Sequence, residues 1–200
     1  MNAQISAYIQ EFELLIGLID PKRKQLLDEI AGEIASRSSK AKLNFICTHN
    51  SRRSHMSQIW AATYADYFGL SEIETFSGGT EVTAMNVRVV NALLKAGFSV
   101  VDPRGTNPKY EVAFDRNRPP IICYSKVYDA PENPQSHFIA LMTCSEADES
   151  CPNIPNADKR YPLYYNDPKE ADDTPWEGER YEERLKQIGV ELYYLFSKIK

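Results

Sequence analysis

The apolar positions follow a helical period at the start of the chain and then change to short blocks. Ile5, Ile9, Phe12, Leu15, Ile16 and Ile19 recur at helical spacing, and Leu26, Leu27, Ile30, Ile34 and Ala35 repeat the pattern after Asp20-Pro21. Asp20 suits an N-cap and Pro21 the first helical position. Residues 1–40 therefore read as a helical hairpin, followed by a polar linker over 36–42. Leu43–Ile46 is a compact apolar run ending in Cys47, as a buried strand would be. A polar loop, 47–54, leads into a helical pattern from about Ser54 to Phe68, stopped by Gly69 as a C-cap residue. Ile73–Phe76 reads as a second strand, and 84–96 as another helix, closed by Gly97. This alternation of strand and helix predicts parallel pairing through crossover helices. Beyond it, 102–120 reads as a long loop, rich in Pro, Gly and charge. Ile121–Val127 and Phe138–Met142 are strand candidates, 128–137 is turn-like, and 143–176 reads as irregular. Tyr181, Leu185, Ile188, Leu192 and Leu195 mark a last helix over 177–198. The chain divides into a helical extension, 1–40, and an α/β domain, 41–200.

Composition narrows what such a fold can do. The 200 residues suit one domain with a small appendage and can bury a core without disulfides or metal. A net charge of −5 argues against a nucleic-acid surface. No apolar run approaches the roughly 18 residues that span a bilayer, and the acidic start is unlike a secretory signal, so the expected location is the cytoplasm. The four cysteines, Cys47, Cys123, Cys144 and Cys151, are then read as catalytic, metal-binding or buried, not as a disulfide framework. Six residues separate Cys144 from Cys151 and no second pair exists, so no metal site is expected.

The segment Cys47-Thr48-His49-Asn50-Ser51-Arg52-Arg53-Ser54 carries the chemistry. A strand delivers the cysteine to the sheet edge, and the loop turns successive backbone N–H groups inward at the start of a helix. Such a nest, with the helix dipole, attracts an oxyanion and stabilises a thiolate. Arg53 offers a planar fork to two oxygens of a tetrahedral anion. Ser54 can donate to the Cys47 sulfur, and Asn50 can hold the loop through its side chain and accept a left-handed backbone. A phosphate or sulfate ion is expected to occupy this loop, and no tightly bound cofactor is expected. Thiolate attack on a tetrahedral centre also needs a proton for the departing oxygen. Asp167, in Asp167-Pro168, is the candidate, with Asp172 and Asp173 as competitors. Cys123 sits in an apolar run and reads as a core thiol.

The run FICTHNSRRS resembles the active-site loop of the low-molecular-weight protein tyrosine phosphatase fold, which also houses the thioredoxin-coupled arsenate reductases. Their Cys, Asn and final Arg-Ser fall on Cys47, Asn50, Arg53 and Ser54. The similarity spans roughly 43–195 and leaves the N-terminal hairpin outside. It implies a three-layer α-β-α fold with a central parallel sheet of about four strands, and Asp167 as the general acid. The segment TCSEADESCP resembles the redox segment of those reductases, which a plain phosphatase does not need. That resemblance implies a relay: Cys47 attacks arsenate, Cys144 attacks the Cys47 sulfur and releases arsenite, and Cys151 moves the disulfide to Cys144–Cys151 for thioredoxin to reduce.

Several positions depart from the family. His49 stands where Gly is frequent, and Arg52 adds a charge that favours a dianion. Gln58 replaces the carboxylate with which some of these reductases hold potassium, leaving Asn50 and Ser77. The 102–137 segment is long enough to lid the site. Lys169-Glu170 follows Asp167-Pro168 where phosphatases carry tyrosines, so Tyr164, Tyr165 or Trp176 would wall a phosphotyrosine ring. Three readings stay open: an arsenate reductase; a phosphatase acting on phosphotyrosine or small phosphate monoesters through a Cys47 phosphocysteine; and an oxyanion-binding protein without catalysis, dimeric through residues 1–40.

Overall fold

A computed structural model describes residues 1–38, 40–150 and 153–199. In chain order the elements are α1 (Ala3–Leu15), α2 (Pro21–Ser36), β1 (Ala41–Cys47), α3 (Arg53–Tyr67), β2 (Ile73–Gly79), α4 (Val87–Lys95), β3 (Ser99–Val101), β4 (Tyr110–Ala113), β5 (Ile121–Cys123), β6 (Phe138–Met142), α5 (Ser145–Ser150), β7 (Ala157–Tyr161) and α6 (Glu177–Ser197). Single 3-10 turns occupy Ile16–Leu18 and Pro168–Ala171. The starts of α1, α2 and α4 obey simple capping chemistry: Asn2, Asp20 and Asn86 each accept a first-turn backbone N–H.

The central sheet has the order β2-β1-β6-β7, all parallel, as the alternating pattern and the family resemblance imply. Alternate residues of its inner strands face opposite ways. Leu43, Phe45, Ile139 and Leu141 enter the main core with the long helices. Ile46, Phe138, Ala140 and Met142 face a smaller cluster with Cys144, Ala147 and Ile154. The two outer layers are therefore unequal, since the second face is covered by the short α5 and irregular chain.

Two stretches differ from the sequence-based expectation. Residues 102–120 are not loop throughout: β4 pairs antiparallel with β3 and with β5, in a separate small sheet. Tyr110, Val112 and Phe114 are buried while Glu111 is exposed, a period of two that the surrounding prolines and charges mask. The strand expected at 121–127 ends at Cys123 and lies in this second sheet. Residues 143–176 likewise contain α5 and β7. The β7 sequence, ADKRY, lacks apolar character because it forms the polar edge of the central sheet.

The N-terminal hairpin packs on the rest of its own chain. Ile5, Ile9, Phe12, Leu27, Ile30 and Ile34 are buried in the same core as Trp60, Leu185 and Leu192. The contact depends on Gly189 in α6, where a Cβ would lie 2.3 Å from Phe12 Cε2. Among the described residues no helix is long and apolar enough to cross a membrane.

Candidate active site

The site forms where β1 ends and α3 begins. Strand β1 carries Cys47 to the carboxyl edge of the parallel sheet, opposite Gly79 of β2. Gly79 lets the loop come close: a Cβ there would sit 2.6 Å from the Thr48 carbonyl and 2.7 Å from the Asn50 nitrogen. The Thr48 carbonyl accepts from the Thr80 and Glu81 amides, each at 2.8 Å. Ser51 Oγ donates to the Ala84 carbonyl at 2.7 Å, and the Ser51 carbonyl accepts from Asn86 N at 3.0 Å. The rim of the loop is thus sewn to the chain after β2.

Asn50 fixes the interior. Its φ of 43° is left-handed, its Nδ2 donates to Ser54 Oγ at 2.9 Å, and its Oδ1 accepts from Lys126 N at 3.0 Å. Because Ser54 Oγ already accepts from Asn50, its own proton is free to point at Cys47 Sγ, 3.1 Å away. Helix α3 has no side-chain cap at Arg52, and the N–H groups from His49 to Arg53 meet no intramolecular acceptor among the described residues. Backbone donors left open at a helix start suit an anion.

Arg53 is almost wholly buried. Its Nη1 donates to the Tyr165 carbonyl at 2.8 Å and its Nη2 to Asp167 Oδ2 at 2.7 Å, while Nε has no partner among the described residues. A buried guanidinium donor without an acceptor is costly unless an anion meets it. The structure thus brings Asp167 to the loop through Arg53. Asp167 also caps the 3-10 turn after it, accepting from Lys169 N at 3.0 Å. The two competitors point elsewhere: Asp172 lies 3.4 Å from Arg52, and Asp173 is exposed beside Arg88. Arg52 donates from Nε to Tyr181 Oη at 2.8 Å and also lies 3.9 Å from Asp167 Oδ1. Asp172, with Asp167 farther off, balances its charge, so Arg52 adds no unpaired cation to the loop. The His49 side chain is partly exposed, 3.3 Å from Glu81.

Thr48 provides the link to the second thiol. Its Oγ1 lies 3.5 Å from Cys144 Sγ, at the start of α5. Cys144 is fully buried, and burial pushes its thiol up, against the opposing pull of the Thr48 hydroxyl and the Arg53 charge. Cys151 lies outside the described residues. Cys123 is far more deeply inert: burial pushes its thiol up to about 12.

Several supporting residues carry no sequence signal. Ser125 Oγ donates to the His49 carbonyl at 2.8 Å, and Asn107 holds Ser125 through two bonds. The 102–137 segment therefore props the loop at its outer edge. His55, in the first turn of α3, is completely buried, with Nδ1 3.3 Å from Ser77 Oγ. Burial first, then the nearby Lys126 charge, lower its pKa to about 3. Gln58, at the expected potassium position, gives its Nε2 to the Thr75 carbonyl, and its Oε1 has no partner among the described residues.

No family model matches the chain. An arsenate reductase of Bacillus licheniformis is 25% identical over 155 residues, covering 77% of this chain and 94% of that protein. An arsenate reductase of Bacillus subtilis is 26% identical over 149 residues, covering 74% and 89%. Among solved structures, a low-molecular-weight phosphotyrosine phosphatase from Vibrio cholerae superposes with a TM-score of 0.52 at 14% identity, covering 78% of this chain and 95% of that one. An arginine phosphatase from Geobacillus stearothermophilus gives 0.52 at 17% identity, covering 80% and 92%. These likenesses bear out the link to the superfamily of low-molecular-weight phosphatases and arsenate reductases, and both kinds of relative are enzymes.

Proposed function

We propose that the protein reduces arsenate to arsenite by a thiol relay that starts at Cys47. The observation that carries this reading is the buried Cys144 thiol, whose Sγ lies 3.5 Å from Thr48 Oγ1, against the residue that follows Cys47. Phosphate-ester turnover regenerated by water does not need a second thiol at that place, whose role in a phosphatase would be limited to protecting Cys47 by reversible oxidation.

Arsenate enters the ring of loop N–H groups and takes the free Arg53 Nε. The Cys47 thiolate attacks arsenic, an As–O bond breaks, and the oxygen leaves as water with a proton from Asp167. Cys144, as thiolate, then attacks the Cys47 sulfur. The S–As bond breaks with its electron pair on arsenic, so two thiols lose two electrons and As(V) becomes As(III). Cys151 attacks Cys144 and expels the Cys47 thiolate, and an external dithiol such as thioredoxin reduces the Cys144–Cys151 disulfide. Because burial raises the Cys144 thiol, the second step speeds up with rising pH. Phosphate or sulfate would bind the same loop as a competitor.

The phosphatase reading keeps one specific support. Cys47, Arg53 and Asp167 would suffice for phosphate-monoester hydrolysis, and the solved structures with this fold include phosphatases. One experiment separates the two. Arsenate-dependent NADPH oxidation, coupled through thioredoxin and its reductase, is measured beside phosphate-ester hydrolysis on wild type, Cys144→Ser and Cys151→Ser. Wild type should consume NADPH, and both variants should lose this while keeping any ester hydrolysis. Ester hydrolysis by wild type with no arsenate-dependent NADPH use would refute the reductase reading.

A further inference from the structure

The N-terminal hairpin reaches the active site through one side chain. Arg23, near the start of α2, donates from Nε to Glu191 Oε2 of α6 at 2.8 Å and from Nη2 to the Tyr164 carbonyl at 3.1 Å. Its guanidinium also lies 4.8 Å from the centroid of the Tyr165 ring. Burial opposes the Arg23 charge, but Tyr165 and Glu191 more than offset that. Tyr165 is itself buried and stands at a junction: its amide donates to the Thr143 carbonyl at 3.1 Å, and its carbonyl accepts from Arg53 Nη1 at 2.8 Å. Asp167 follows two residues later, about 7 Å of extended chain away. Tyr164 and Tyr165 thus have their backbone groups tied to Arg23, Thr143 and Arg53, just ahead of the carboxylate that meets Arg53.

We propose that Arg23 is a positioning residue through which the N-terminal hairpin sets the aim of Asp167. It does not touch the anion. It pins the Tyr164 carbonyl and covers the Tyr165 ring, so that the Tyr165 carbonyl meets Arg53 and Asp167 is presented to the Cys47 loop. Residues 1–40 lie outside the family resemblance, so this brace is an addition to the common fold. The planar fork is needed, because one flat group serves a carboxylate, a carbonyl and a ring face at once. The inference rests on the reading of Asp167 as the proton donor.

The test compares Arg23→Met and Arg23→Lys with Ile30→Val, a buried change further along the same helix that removes no hydrogen bond and costs about 1 kcal/mol. Two readouts are taken in the full-length protein: kcat and KM for arsenate, and hydrogen exchange of the Tyr165 and Lys169 amides. Arg23→Met should lower kcat at least tenfold, a share of the roughly 10²–10⁴ that a positioned general acid contributes, and move KM less than twofold. It should also speed both amides at least tenfold. Arg23→Lys should lie between it and wild type, and Ile30→Val should match wild type. Unchanged exchange in Arg23→Met, or equal changes in Ile30→Val, overturns the brace. If wild type turns over no arsenate, the functional reading falls, and the exchange measurement alone still decides for or against the brace.

Discussion

Replacing Asn50 by alanine tests the architecture of the Cys47 loop most directly. Asn50 is fully buried, donates to Ser54 Oγ and accepts from Lys126 N. Two hydrogen bonds are lost, at a net ~1 kcal/mol each. The Lys126 amide is left without its acceptor, which adds about 1–2 kcal/mol. Alanine at the φ of 43° costs about 1 kcal/mol more than glycine would. Asn50→Ala should therefore lose about 4–5 kcal/mol of stability and Asn50→Gly about 3–4 kcal/mol, the difference reporting backbone strain less the greater unfolded-state entropy of glycine. Urea unfolding of the three proteins measures both. A second readout follows the function: without Asn50 the Ser54 hydroxyl loses the donor that fixes its orientation towards Cys47 Sγ. Alkylation of Cys47 at pH 7 should slow in both variants. A loss below 1 kcal/mol, or glycine less stable than alanine, would show that the two bonds and the left-handed turn do not hold the loop.

Three further outcomes follow from the structure. His55 is buried neutral, with its pKa lowered from 6.5 to about 3, so the unfolded chain binds the extra proton first; stability should be intact above pH 6.5 and fall by ~1.4 kcal/mol per unit from there towards pH 3, and an unaltered slope in His55→Gln would refute this. Gly189→Ala places a Cβ 2.3 Å from Phe12 Cε2 and should cost about 1–3 kcal/mol by overpacking; the added change Phe12→Leu should return part of it, as thermal unfolding will show. Burial holds the Cys123 thiol near 12, so mass spectrometry after iodoacetamide treatment at pH 8 should find Cys123 unmodified in the native protein and modified in urea.

The loop chemistry and the parallel sheet were legible in the amino-acid order because they rest on local rules. Cysteine after an apolar run, a residue tolerant of φ > 0 at Asn50, and Arg-Ser at a helix start are all specified within eight residues. The helices of the N-terminal hairpin could be read for the same reason, since a 3.6-residue period and an Asp-Pro cap need no partner to be visible. What the order did not reveal is long-range. Strand β7 is polar because it sits at a sheet edge, and β4 hides among prolines; in both, the pairing partner supplies what the composition lacks. Which of Asp167, Asp172 and Asp173 faces Arg53 was decided by folding, as was the turning of Arg52 towards Asp172 and Tyr181. Likewise no pattern joins Arg23 to Tyr164, 141 residues away. Hydrogen bonds and ion pairs of that separation depend on where the backbone brings their ends, and that is a property of the packed core and not of any segment.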